Sequence, residues 1–122
     1  MDARTLARLQ ALGRVAVGSA LTLAPGRAGA GWMGRDASRP ATQVAISALG
    51  ARDLAIGLGA AHAAGQGYGA RPWLRAGVLA DATDFAATLR ARDHLSPIAV
   101  AGVGAIAAGS ALLGLWLSRE LD

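Results

Sequence analysis

The chain has 122 residues, of which 31 are Ala and 17 are Gly; all twelve basic residues are Arg, eight residues are acidic, and Cys is absent. Without Cys there is neither a disulfide scaffold nor a thiolate metal site, and the length argues against two independent domains. The net charge of +4 points first to nucleic acid, but the Arg residues are scattered singly among acids and form no basic face, which excludes that partner.

Four apolar stretches follow in chain order, at residues 6–24, 41–64, 73–89 and 97–117. The last carries no charge, and about 20 apolar residues span a bilayer core as a helix. The other three contain Arg14, then Arg52 and Asp53, then Arg75, Asp81 and Asp84. Beside the fourth stretch they read as spans whose polar groups face a bundle interior. Pro25-Gly26 reads as the end of the first helix. Pro40 fits the first turn of the second, the Gly-rich run at residues 65–69 breaks the chain before Pro72, and Ser96-Pro97 is a helix start. The predicted fold is all-α: a single four-helix transmembrane bundle with antiparallel neighbours and both termini on the same side. A rival treats the N-terminus as a cleaved secretory signal, with Arg4 and Arg8 before residues 15–24 and a site at Ala28-Gly29-Ala30. Arg14 and the intervening Pro25-Gly26-Arg27 argue against it.

The aromatics fit this topology as interfacial anchors, with Tyr68, Trp73 and Trp116 at one face and Trp32 at the other. Arg is split evenly between the two sides, so orientation is not readable. In lipid, helices associate through small residues at four-residue spacing. Ala101, Ala105 and Gly109 form such a row on the fourth helix, and Gly102, Ser110 and Gly114 a neighbouring one. Gly57, Ala61 and Gly65 form a row on the second.

Five ionisable residues fall near the centres of three spans: Arg14, Arg52, Asp53, Asp81 and Asp84. Facing lipid, each would cost about 2.5–3.5 kcal/mol, so they must turn inward and pair. Gly77, Asp81, Asp84 and Thr88 share one stripe of the third helix, and Arg14, Gly18 and Thr22 one stripe of the first. The expected pairs are Arg52 with Asp81 or Asp84, and Arg14 with Asp53 or the remaining carboxylate. Two Arg face three Asp, so one carboxylate is left without a formal partner, to be neutral beside Thr88 or to serve a cation.

Other constellations carry less. Asp81-Ala82-Thr83-Asp84 matches one half of the carboxylate pattern that holds Mg²⁺-diphosphate in membrane prenyltransferases, which need a second such motif. His62 and His94 fall on opposite sides and form no joint metal site. No glycine-rich nucleotide loop follows a strand, and no serine has a base near it. No metal or cofactor is expected.

The run Leu49-Gly50-Ala51-Arg52-Asp53-Leu54-Ala55-Ile56-Gly57, followed by Leu79-Ala80-Asp81-Ala82-Thr83-Asp84, resembles small bacterial four-helix integral membrane proteins that are broadly DoxX-like. The resemblance would cover most of the chain. It implies a multi-pass protein of a bacterial plasma membrane, marks Arg52, Asp53, Asp81 and Asp84, and implies no established activity. The functional expectation is a non-enzymatic accessory or scaffold protein whose partners are the lipid bilayer and either further copies of itself or a larger membrane complex. The alternative is a proton- or cation-responsive, transport-like or polar-ligand-binding module built on Asp81 and Asp84.

Overall fold

The computed structural model describes residues Met1–Asp122. Five α-helices follow in order: α1 (Ala3–Leu23), α2 (Pro25–Met33), α3 (Pro40–Gln66), α4 (Ala70–Arg90) and α5 (Pro97–Glu120), with 3-10 turns at Gly34–Ser38 and Arg92–His94. Each start has a local cause. Asp2 accepts a hydrogen bond from the Thr5 amide at 2.7 Å, and Ser96 accepts one from Ala99 at 3.1 Å. Pro25, Pro40 and Pro97 each take the first position of their helix, where a missing N–H costs nothing.

The fold is all-α, but it is not the expected four-helix transmembrane bundle. There are five helices, and only α3 and α5 are long and apolar enough to cross a membrane. The physical reason is charge. Arg4, Arg8 and Arg14 lie in α1, and Arg71, Arg75, Asp81, Asp84 and Arg90 lie in α4. An apolar neighbour does not remove the cost of those groups. The fifth helix, α2, occupies part of what read as a loop. Three of its nine residues are Gly, which weakens a helix in isolation. Two of them, Gly26 and Gly29, let it sit close to α3: a Cβ at Gly29 would meet Ile46 Cδ1 at 2.6 Å.

α1 lies mainly on α3, and α5 mainly on α4, each pair antiparallel. The first pair is joined at backbone distance. A Cβ on Gly18 would stand 2.5 Å from the Leu54 nitrogen and 2.7 Å from the Gly50 carbonyl oxygen; one on Gly50 would stand 2.6 Å from the Thr22 nitrogen. Side chains larger than hydrogen cannot fit there, which is the use small residues have at close helix contacts. The packing stripe of α3 is Gly50, Asp53, Gly57 and Ala60, while Ala61 is half-buried and Gly65 has nothing near it. On α5 the inward stripe is Gly104, Ala107 and Gly114; Ala101, Ala105 and Gly109 are exposed.

Two small apolar cores result. One, at the end where both chain termini meet the α3–α4 connection, gathers Ala7, Ala63, Ala64, Ala70, Leu74 and Leu117. There the Asp122 carboxylate accepts hydrogen bonds from the Gly69 and Ala70 amides at 3.0 and 3.3 Å, capping α4. The other core, beneath α2, holds Leu21, Ala37 and Ile46. The cluster of Arg14, Arg52, Asp53, Asp81 and Asp84 lies between them.

Candidate functional site

Arg14 sits at the middle of α1 and is the more enclosed of the two arginines, with its side chain only 9% exposed. Gly77 on α4 leaves room for it: a Cβ there would stand 3.2 Å from Arg14 Nη2. Arg14 Nη1 donates to Asp53 Oδ1 at 3.1 Å, and Nη2 donates to Asp81 Oδ2. Arg52 holds Asp84 in a two-pronged grip, Nη1 to Oδ1 at 3.1 Å and Nη2 to Oδ2 at 2.7 Å. This fork geometry matches a guanidinium to a carboxylate. Arg52 Nη2 also donates to Asp53 Oδ1 at 3.2 Å, so one oxygen of Asp53 serves both arginines. The three helices α1, α3 and α4 are thereby tied at one level.

The outcome differs from the sequence expectation in the pairing of the carboxylates and in the places of Thr88 and Trp32. No carboxylate stands alone; each touches an arginine. The formal excess of one negative charge remains, spread over a connected network. Thr88 is outside it. It is buried and accepts a hydrogen bond from Trp32 Nε1 at 3.0 Å. Trp32, expected as an interfacial anchor, is therefore half-buried and fastens α2 to α4. Tyr68, Trp73 and Trp116 are exposed at the end that carries both termini, where Trp73 also covers Gly59.

Beside this network lies a cleft of about 470 Å³, within the roughly 300–1,000 Å³ of small-molecule sites. Its polar floor comprises Gln10, Arg14, Asp53, Asp81, Asp84 and Ser110; its apolar walls are Val17 and Leu21 of α1, Trp32 of α2, and Val103 and Ile106 of α5. At the end bearing the termini it is closed by Gln10 Nε2, which donates across to the Ser110 carbonyl at 2.8 Å. Toward the other end α2 stands between α1 and α5. The mouth lies at Val17 and Ile106, which are 53% and 74% exposed.

Gln10, Ser110 and Trp32 are site residues that sequence reasoning missed. A signal existed for two of them. Gln10 precedes Arg14 by four residues on the same stripe, and Ser110 is the one hydroxyl in the uncharged stretch of α5. Trp32 carried none, because the helix that presents it was read as loop. His62 and His94 are exposed, and no group of His, Cys, Asp or Glu is placed to hold a metal ion.

No family model, no curated protein and no solved structure matches the chain. The likeness to DoxX-like membrane proteins thus rests on its two short motifs alone, and the functional reading rests on the site.

Proposed function

We propose that this is a small integral membrane protein that binds an amphiphilic ligand, polar head on the Arg/Asp floor and apolar body between α1 and α5. The observation that carries the reading is the cleft itself, in which buried charges and hydrogen-bonding groups form the floor and apolar side chains form walls open to the outside. Support for the membrane comes from burial. The apolar windows of α3 and α5 are only 28% and 22% buried. The core helix of a soluble protein would be mostly enclosed. Here Val44, Leu58, Ile98, Ile106 and Leu112 point outward instead, an exterior suited to lipid. A ligand could then enter sideways from the acyl region without crossing water.

Two measurements test this. After carbonate extraction the protein should remain with the membranes; recovery in the soluble fraction removes the membrane reading. In reconstituted bilayers, a twelve-carbon alcohol bearing a photoreactive diazirine should label peptides from α1, α2 and α5 that line the cleft. Labelling confined to the outward faces of α3 and α5 would remove the ligand reading. It would favour the accessory or scaffold role instead, which one observation supports: every carboxylate of the network already has an arginine. Under that role the exposed row Ala101, Ala105 and Gly109 is where a neighbouring helix would pack.

A further inference from the structure

We infer that the head group this cleft selects is a primary ammonium, so that the ligand class is a long-chain primary amine. The inference rests on the ligand-binding reading above and specifies its chemistry. Its first basis is acceptor geometry. Asp53 uses Oδ1 for both arginines, and Asp81 uses Oδ2 for Arg14. The second oxygens, Asp53 Oδ2 and Asp81 Oδ1, receive no hydrogen bond from the protein. Yet both side chains are about nine-tenths buried and both line the cleft. Neither oxygen is sealed off, the one fully buried side-chain polar atom without a partner being Arg52 Nε, so both remain open to a ligand that brings N–H groups. Ser110 Oγ, on the same floor, already accepts from Gln10 Nε2 at 3.1 Å and Arg14 Nη2 at 3.4 Å, so the two carboxylate oxygens are the acceptors left for a ligand.

The second basis is charge. Two arginines meet three aspartates in a connected network, leaving one formal negative charge. A monovalent cation balances it, an anion worsens it, and a neutral head leaves it unchanged. A metal ion fits poorly, since no group of acidic or imidazole ligands is placed to enclose one. The third basis is the walls. Val17, Leu21, Val103 and Ile106 offer an alkyl chain an apolar path from the floor to the mouth. A trimethylated head carries the charge but no N–H donor, so the two unmet oxygens distinguish it from a primary amine.

The test uses the full chain in nanodiscs of zwitterionic lipid and four twelve-carbon probes with a bromine at the tail: the primary ammonium, the trimethylammonium, the alcohol and the carboxylate. Probes are compared at equal mole fraction in the bilayer. Cleft binding is read as quenching of tryptophan emission that is lost in Trp32→Phe. The primary ammonium should bind about tenfold or more tightly than the alcohol, as expected for hydrogen bonds to charged groups, with the carboxylate weakest. Asp81→Asn should bring the ammonium to the affinity of the alcohol. If that variant does not fold, the ranking of heads on the unaltered protein decides alone. Equal or tighter binding of the alcohol or carboxylate overturns the head-group assignment while leaving the cleft a binding site. Equal binding of the trimethylammonium overturns the assignment to a primary amine. If no probe quenches, the ligand-binding reading itself falls.

Discussion

Arg14 and Arg52 carry the same charge in unlike settings. Arg14 is 9% exposed and joins two carboxylates from different helices; Arg52 is 29% exposed and grips Asp84 from one side. Removing one partner of a buried pair leaves an uncompensated charge, at about 3–5 kcal/mol. Arg14→Ala should incur a loss of that order and Arg52→Ala a smaller one, read as unfolding free energy in detergent. The reverse ranking would show that the network is not centred on Arg14. Because Asp53 Oδ1 serves both, the two losses should not add, with a coupling of about 0.5–3 kcal/mol in a double-mutant cycle. The five charged members of this network were legible in the sequence, since charges at the centre of apolar segments have nowhere else to go; the absence of Thr88, which bonds Trp32 instead, was not. Nor was the network's wiring. That Asp84 goes to Arg52 and Asp81 to Arg14 depends on helix rotation and on the space left by Gly77, neither of which the spacing specifies.

At the scale of elements, Gly50 and Gly109 make a contrast. Both are glycines within helices, but Gly50 faces the backbone of α1, whereas Gly109 has nothing within 4 Å of its Cβ position. Gly50→Ala should lower the melting temperature by forcing α1 and α3 apart. Gly109→Ala should hold or raise stability, by up to about 1 kcal/mol from helix propensity. Small-residue rows were visible in the sequence, but in so Ala- and Gly-rich a chain several rows compete, and only packing picks one. Proline misled in a related way. Pro25-Gly26 read as a stop, yet Pro25 opens α2, because the same fixed backbone angle serves both a helix break and a first helical position. The caps of α1 and α4 can be probed directly. Asp122→Ala should speed amide exchange at Gly69, Ala70 and Arg71, all three of which donate to that carboxylate. At α1, the backbone hydrogen bond from Thr5 holds Asp2 below the ordinary value of 3.8. A depressed folded value stabilises above the unfolded one and is lost on acidification. Exchange at the Thr5 amide, corrected for its intrinsic pH dependence, should therefore be protected above that value and lose protection as pH falls through the folded one.

For the molecule as a whole, only 25 of 122 residues are buried, and sixteen large apolar side chains are exposed. In buffer without detergent or lipid it should therefore aggregate, visible as light scattering that detergent reverses. A clear monomeric solution would contradict the apolar exterior. The all-α class was legible from hydropathy and punctuation. The count of spanning helices was not, because α1 and α4 borrowed their reading from α5, and the cost of charge is met helix by helix. The shared oxygen of Asp53 has one more consequence. Arg52 is absent from the cleft walls and partly exposed, so it reaches a different face of the protein. A donor that drew the Asp53 carboxylate toward the cleft would stretch its bond to Arg52 and shift weight onto the Asp84 grip. Occupancy on one face would thus be communicated through a single carboxyl group to the other, a relay one side chain thick.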